Sequence, residues 1–185
     1  MSKIWFTSDT HFTSQRTLEL SKRPFKSVEE MDSVMIKNWN ETVDEEDIVY
    51  HLGDFGNYEI AKQLNGKIRL LKGNYERTDI NLEKYEDYFY DVMLGETFSG
   101  YTTYEKNDLT HTLFINIAHE PSLVKDKKIS SSSINLFGHI HKLCMIKSYG
   151  LNVGVDCHNF KPIDIETVLF YHNAILNHYD EEVFN

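Results

Sequence analysis

Short apolar runs alternate with polar or amphipathic stretches along the first half of the chain. These runs, rich in Ile, Val, Trp, Tyr and Leu, predict three strands, at residues 3–7, 47–52 and 67–72. Apolar residues at helical spacing follow the capping-box pair Ser27 and Glu30 and predict a helix over residues 28–43. A shorter helix is predicted at residues 59–64. This order of elements favours an α/β unit with parallel strands.

The second half of the chain is dominated by runs that predict further strands. They are at residues 88–93, 97–104, 111–118, 134–137 and 151–155. A turn is predicted at residues 106–108, and a final helix at residues 164–176. No internal repeat and no Pro-rich or Gly-rich linker divides the sequence, so we expect one domain over residues 1–185.

The composition is that of an acidic globular protein, with 41% apolar residues, 26% charged residues and a formal net charge of -10. Such a surface repels a long polyanion, so nucleic acid is a disfavoured partner that stays open as an alternative. No apolar run approaches the roughly 18 residues that span a bilayer, and the start of the chain turns polar too soon for a signal peptide. We therefore expect a cytoplasmic protein with no membrane partner. The sequence leaves the oligomeric state open.

Side chains of the types that bind metals follow five of the predicted strands directly. They are Asp9 and His11, Asp54, Asn74, His119, and the pair His139 and His141. In α/β sheets the carboxyl ends of the strands converge on the ligand crevice, so these side chains are expected to meet in one place. A single His-x-His or Gly-Asp pair is weak evidence, and the joint pattern carries the prediction.

The number and type of these residues suit a pair of divalent ions. Four imidazoles, two carboxylates and one amide oxygen are available, and two ions of charge +2 with two carboxylates of charge −1 leave about +2. Such a site attracts a phosphate group and holds a hydroxide nucleophile at neutral pH. The mixed nitrogen and oxygen set favours manganese, with iron, zinc, nickel or cobalt as alternatives, over magnesium or calcium.

The ligand motifs and several neighbouring segments resemble the calcineurin-like metallophosphoesterase superfamily, in particular a small subgroup from bacteria and phages. The neighbouring segments are residues 5–12, 23–25, 49–55 and 152–156. The resemblance covers nearly the whole chain. It implies an α/β fold, a four-layer α-β-β-α sandwich of two stacked mixed sheets flanked by helices.

The resemblance also implies roles for the seven residues. One metal would be held by Asp9, His11, Asp54 and His141. Asp54 would bridge to a second metal, held also by Asn74, His119 and His139. The implied activity is hydrolysis of a small phosphodiester or phosphomonoester by a hydroxide that bridges the two metals, with Asp54 and Asn74 counted among the catalytic residues.

Two departures from the family pattern concern proton transfer and substrate binding. The family usually has Gly-Asn-His, whose His protonates the leaving group, where this chain has Gly73-Asn74-Tyr75. Phenols ordinarily titrate near pH 10, so Tyr75 is expected to be a poorer acid at this catalytic position. Family members in which this His is replaced resemble diesterases more than monoesterases, so the resemblance favours phosphodiesters as substrates. The subgroup also usually has Gly-His where this chain has Thr13-Ser14.

Three arginines near the motif loops are candidates for a phosphate contact. Arg16, Arg23 and Arg77 could each donate two hydrogen bonds to a phosphate, although a surface salt bridge is the more common role of a lone arginine. Arg77 ranks first because it follows Asn74 closely. Two other functions stay open: a nuclease, marked by steep loss of binding with salt, and a non-catalytic binding module, marked by missing ligands. None of the seven ligand positions is missing.

Overall fold

The first sheet is built on the three predicted strands near the start of the chain. In the computed structural model, which describes residues 2–76, 83–93 and 95–180, these strands pair in parallel, as predicted. The strands are β1 (Ile4–Thr7), β2 (Ile48–His51), β3 (Lys67–Leu71), β4 (Asp91–Met93) and β10 (Ile163–Asp164). Their order is β10-β1-β2-β3-β4, and only β10, antiparallel to β1, makes the sheet mixed.

Helices cover the outer face of this sheet. They are α1 (Gln15–Leu20), α2 (Val28–Asn40), a 3-10 helix (Tyr58–Gln63) and α3 (Glu83–Glu86). The Ser27 hydroxyl accepts a hydrogen bond from the backbone N–H of Glu30, so the predicted N-cap of α2 is confirmed. Helix α1 was not predicted, because its six residues are too few to establish a helical period.

The second sheet carries the remaining strands. They are β5 (Thr97–Lys106), β6 (Leu109–Ala118), β7 (Ser133–Phe137), β8 (Ile146–Lys147) and β9 (Gly150–Asn152). Their order is β5-β6-β7-β9-β8, with parallel pairing in the middle and antiparallel pairing at both edges. The predicted turn at residues 106–108 is confirmed by the left-handed φ angles of Asn107 and Asp108, 53° and 60°.

Two predicted strands differ from the structure by three residues at one end. The run at residues 88–93 forms a strand only from Asp91, because the backbone N–H groups of Tyr88 and Phe89 bond the carbonyl of Tyr85 instead of a neighbouring strand. The run at residues 151–155 leaves the sheet after Asn152, where the chain enters a 3-10 turn at Val155–Cys157.

The main core lies between the two sheets. Alternate residues of β1, such as Ile4 and Phe6, pack with inward-facing residues of β6 and β7, such as Ile115 and Leu136, all of them buried. Helix α4 (Ile165–His178) adds Val168 to the same core. The predicted architecture of two stacked mixed sheets flanked by helices is therefore confirmed. Among the described residues, every helix is too short or too polar to traverse a bilayer.

His172 of α4 is a buried histidine that couples the fold to pH. Its Nε2–H donates to the carbonyl of Ser130 at 2.6 Å, and its Nδ1 has no hydrogen-bond partner among the described residues. Burial lowers the pKa of His172 below its ordinary value, because a charged ring would lose its hydration there. The folded protein therefore binds fewer protons at this ring than the unfolded chain does.

We expect the stability contributed by neutral His172 to be complete above about pH 6.5, the ordinary pKa of histidine, and to be lost as the pH falls below it. Urea unfolding from pH 8 to pH 5 should show a smaller decline for His172→Gln, which keeps a donor to Ser130, than for the wild type. The control is His178→Gln at the exposed end of α4. Equal declines for all three proteins would contradict this role.

Candidate metal centre

Five of the seven predicted ligands lie in the left-handed region of backbone conformation. They are Asp9 (φ 57°), His11 (φ 48°), Asp54 (φ 57°), His139 (φ 69°) and His141 (φ 49°). This conformation is uncommon for residues with a Cβ atom, and it costs on the order of 1–3 kcal/mol each unless the surroundings enforce it. Strain of this kind concentrates at functional sites.

Hydrogen bonds between the strand-end loops enforce these conformations. The backbone N–H of Asp9 donates to the carbonyl of Gly53, and that of His11 donates to the carbonyl of Asp54, both at 3.0 Å. Gly53 has a φ of +97°, and a Cβ atom there would lie 2.3 Å from the backbone nitrogen of Gly73. Only glycine fits at this crossing, so the loops after β1, β2 and β3 can close on one another.

The structure brings all seven predicted ligands together at the carboxyl ends of the strands. Two groups offer ligand atoms that lie within 4.8 Å of one another: Asp9, His11 and His141, and Asp54, His119 and His139. Asn74 adjoins the second group, with its Oδ1 2.8 Å from Nε2 of His119 and 3.0 Å from Nδ1 of His139. The two groups correspond to the two metal sites that the family resemblance implies, with Asp54 in the second group.

Asp54 lies between the two groups. Its Oδ2 is 3.5 Å from Nε2 of His11 in the first group and 3.4 Å from Nε2 of His119 in the second. Burial acts to raise the pKa of Asp54, but the hydrogen bond with His119 and the charge of that ring outweigh burial and lower it. This carboxylate is thus placed to serve both groups, as expected of a bridging ligand.

Outer hydrogen bonds set the proton positions of two of the histidines. Nδ1 of His119 lies 2.8 Å from the carbonyl of Leu52, which can only accept, so this nitrogen carries the proton. Nδ1 of His141 lies 2.8 Å from Oδ2 of Asp156 in the same way. In the neutral rings both Nε2 atoms therefore turn bare lone pairs toward the site, an arrangement that metal-binding histidines usually show.

The nitrogen atoms that face the site test whether a cation fits. Burial acts to lower the pKa of His119, but Asp54 and Asp9 outweigh burial and raise it. The protonated ring donates its Nε2–H toward Asn74 Oδ1, 2.8 Å away, and a cation would take the place of this proton. Nε2 of His11 is buried without a hydrogen-bond partner among the described residues. Burial, with the nearby charges of His141, Arg23 and His119, lowers the pKa of His11 to about 3, although Asp54 opposes this. The residues fit divalent cations, because a cation satisfies these inward lone pairs together.

Asp9 is the most enclosed carboxylate of the site. Both of its oxygens accept from the backbone N–H of His139, at 2.8 and 3.0 Å. Burial raises the pKa of Asp9, and the charges of His119 and His141 oppose this rise. A bare carboxylate here is costly to ionise, so a bound cation would stabilise its charged form.

Glu76 is a supporting residue that sequence reasoning missed. Its carboxylate is buried and accepts from the backbone N–H groups of Asp54, Phe55 and Gly73, at 2.8 to 2.9 Å. It therefore fixes the loop that carries Asp54 against the loop that carries Asn74. The sequence carries one signal for this role, an acidic residue two positions after the predicted ligand Asn74. A carboxylate buried beside the ligand loops needs several N–H donors, and the backbone of those loops supplies them.

Arg23 and Asp156 form a second supporting unit. Arg23 is buried, donates to the carbonyls of Asp9 and Thr10, and pairs with Asp156 at 2.8 Å. Arg23 is therefore enclosed and its donors are already bonded, and its ion pair is buried, unlike the surface salt bridge that the sequence offered as the alternative. Burial acts to raise the pKa of Asp156, but its bonds with His141 and Arg23 lower the pKa to about 2.

Tyr75 and Arg16 meet at the mouth of the site. Nη1 of Arg16 donates to the Tyr75 hydroxyl at 2.8 Å, and the ring of Tyr75 meets that of His11 edge-on, with centroids 4.9 Å apart. Both side chains are exposed. Arg77, the first-ranked phosphate contact in the sequence, lies outside the described residues, and Arg16 is the arginine that lines the described pocket.

Comparison with known proteins agrees with the motifs and the geometry. The family model described as the calcineurin-like phosphoesterase superfamily domain matches residues 2–173. The chain belongs to this superfamily. Its members hydrolyse phosphoester bonds with the help of divalent metals, and the two ligand groups of this calcineurin-like phosphoesterase are its candidate metal sites.

Two proteins similar in sequence and one solved structure can be compared with this chain individually. An uncharacterized protein of Methanocaldococcus jannaschii is 29% identical over 180 residues, covering 91% of this chain and 90% of the relative. The gene 66 protein of Mycobacterium phage L5 is 33% identical over 85 residues, 41% of each chain. The crystal structure of a protein of unknown function from Aquifex aeolicus has a TM-score of 0.62 at 23% identity, covering 91% of this chain and 98% of that one. This likeness shows the shared fold.

The position of Asp54 between the groups predicts that its loss affects both metals. We expect Asp54→Asn to weaken the binding of two ions by at least about tenfold each, because ligand and outer-shell losses reach this size. Asp9→Asn should weaken chiefly one ion. Calorimetric titration of metal-stripped protein with Mn²⁺ measures both effects, and Asp126→Asn, at an exposed turn, is the control. Two ions bound with unchanged affinity by Asp54→Asn would show that the bridge is assigned wrongly.

Proposed function

We propose that this chain is a phosphodiester hydrolase with a two-metal centre formed by the seven residues. The observation that carries the proposal is the position of Asp54 Oδ2, within 3.5 Å of an imidazole from each ligand group. Two ions that share one carboxylate form the arrangement that phosphatases and nucleases use for in-line displacement at phosphorus. Manganese is the first candidate, with iron, zinc, nickel or cobalt as alternatives.

Bound divalent ions would supply Lewis-acid activation of the phosphoryl group and of a water molecule. Asp9, His11 and His141 would hold one ion, and Asn74, His119 and His139 the other. The protein's own contribution is to keep these groups in place: Glu76 fixes the loop of Asp54, and Asp156 orients His141. Such prior arrangement of charges avoids reorganisation during the reaction.

Arg16 joins Arg77 and Asn74 among the proposed substrate contacts. It is exposed, lines the same pocket as His11, Asp54 and Asn74, and is held by its hydrogen bond to the Tyr75 hydroxyl. An arginine can donate to two phosphate oxygens at once, so Arg16 is placed to orient the substrate. The single domain over residues 1–185 is part of the same proposal.

A substrate panel tests the activity. Metal-stripped protein reloaded with Mn²⁺ should hydrolyse aryl phosphodiesters faster than aryl phosphomonoesters or cyclic nucleotides, and excess chelator should abolish the activity. A single-stranded oligonucleotide tests the nuclease alternative, whose binding would fall steeply with salt. Full activity of the metal-stripped protein with chelator present would overturn the metal-dependent mechanism.

The replacement of the usual His by Tyr75 predicts a strong dependence on the leaving group. A general acid contributes about 10²–10⁴-fold when the leaving group is basic, and a phenol donates less readily than an imidazolium near neutrality. The wild type should therefore slow steeply as the aryl leaving group becomes more basic. Tyr75→His should flatten this dependence, chiefly by speeding the basic leaving groups.

Tyr75→Phe is the matched control, because it removes only the hydroxyl that Arg16 bonds. Its leaving-group dependence should match that of the wild type if Tyr75 donates no proton. The series is measured with chemistry shown to limit the rate. If Tyr75→His has the same dependence of rate on leaving-group basicity as the wild type, the proposal that Tyr75 replaces a stronger general acid is contradicted. The proposal for the metal site would be unaffected.

A further inference from the structure

Three large apolar side chains are exposed around one pocket at the metal centre. Leu20 is 70% exposed, Tyr75 48% and Leu143 85%. They come from three separate segments: the end of α1, the loop after β3 and the 3-10 helix His141–Leu143. Scattered single leucines on a surface need no explanation, but convergence of three such side chains on one pocket marks a binding site.

Hydrogen bonds hold the two leucine-bearing segments at the pocket. Ser14 caps the N-terminus of α1. At the other end of α1, the hydroxyl oxygen of Ser21 lies 3.3 Å from Nδ1 of His141. Nζ of Lys142 donates to the carbonyl of Lys22 at 3.4 Å. The end of α1 is therefore tied to the segment that carries Leu143, so the apolar rim is part of the fold at the site.

The pocket has a polar floor and an apolar rim. Its volume is about 350 Å³, and its floor is formed by buried ligand residues of both metal groups, His11 and Asp54. Arg16 and Leu20 are four residues apart on α1 and therefore share one helix face toward the pocket. A phosphoryl group on the floor would place its organic substituent against the rim.

We propose that the substrate is a phosphodiester whose retained ester group is aliphatic and packs against the rim formed by Leu20, Leu143 and Tyr75. The inference rests on the proposed function and adds the class of substrate. Two branched aliphatic side chains against one aromatic ring favour an alkyl group over a nucleobase, which is usually bound by stacking on aromatic rings. The acidic charge of the chain, -10, agrees with a small substrate over a nucleic acid.

A series of alkyl 4-nitrophenyl phosphodiesters tests the proposal with a constant leaving group. Water adds to phosphorus, the bond to the aryl oxygen breaks, and nitrophenolate, an alkyl phosphate and a proton are released. From methyl to pentyl, kcat/KM of the Mn²⁺-loaded enzyme should rise roughly two- to fourfold per methylene, because a fully buried methylene contributes about 0.8 kcal/mol. The 4-nitrophenyl ester of thymidine 5′-phosphate is the comparison, and it should react more slowly than the pentyl ester.

Substitutions in the rim locate the effect. Leu20→Ser with Leu143→Ser should lose most of the dependence on chain length, measured as the ratio of the pentyl to the methyl ester. The matched control is Leu109→Ser, on a leucine that is 62% exposed at the hairpin between β5 and β6. It should keep the wild-type ratio. Circular dichroism checks that each variant folds.

A binding measurement gives a second readout that does not depend on turnover. Pentylphosphonate should bind the metal-loaded protein more tightly than methylphosphonate in calorimetric titration, and the rim variant should lose the difference. Equal rates along the alkyl series, with clear hydrolysis of the methyl ester, would overturn the inference and leave the hydrolase proposal in place. A faster thymidine ester would overturn the choice of an aliphatic group. No hydrolysis of any ester would overturn the proposed function itself.

Discussion

The site depends on one electrostatic constraint: carboxylates and imidazole rings from separate loops converge in a small, largely buried space. His119 and His141 direct their Nδ1 protons outward, to Leu52 and Asp156, so their Nε2 atoms face inward. Asp54 adds a carboxylate between the two groups. Without cations, burial acts to lower the pKa values of His119 and His141, but the neighbouring carboxylates outweigh burial and raise them, so protons offset part of the carboxylate charge. With cations the same atoms become ligands, so metal binding and the stability of these loops are coupled.

The fold meets this constraint by fixing the loops to one another. Parallel strands β1, β2 and β3 place the loops at one edge, and backbone hydrogen bonds connect the first two directly. Glu76 then connects the second loop to the third through three backbone N–H groups. The left-handed conformations at Asp9 and Asp54 persist because these bonds hold the chain there. The hydrogen bonds between these loops therefore offset the free-energy cost of the backbone strain.

The sequence predicted the features that depend on local pattern. The parallel strands, helix α2 with its Ser27 cap and the gathering of ligand side chains at strand ends all follow from periodicity and chain order. Helix α1 is too short to produce a period, and the partners of Arg23 and Glu76 are defined by distances across the chain. Residues whose role depends on tertiary contacts cannot be identified from spacing in the sequence alone. For this reason Arg23 was among the sequence-based candidates for a contact with phosphate.

The two departures from the family pattern act on the same part of the site. Thr13 has a left-handed φ of 64°, and its N–H and hydroxyl both donate to the carboxylate of Asp32, which fixes the start of α1. Helix α1 in turn brings Arg16 to the hydroxyl of Tyr75. The replaced pair at positions 13 and 14 and the replaced residue at 75 are therefore linked through one helix. Since the ligand groups lie beneath this contact, changes at the mouth can alter substrate choice while the metal ligands stay the same.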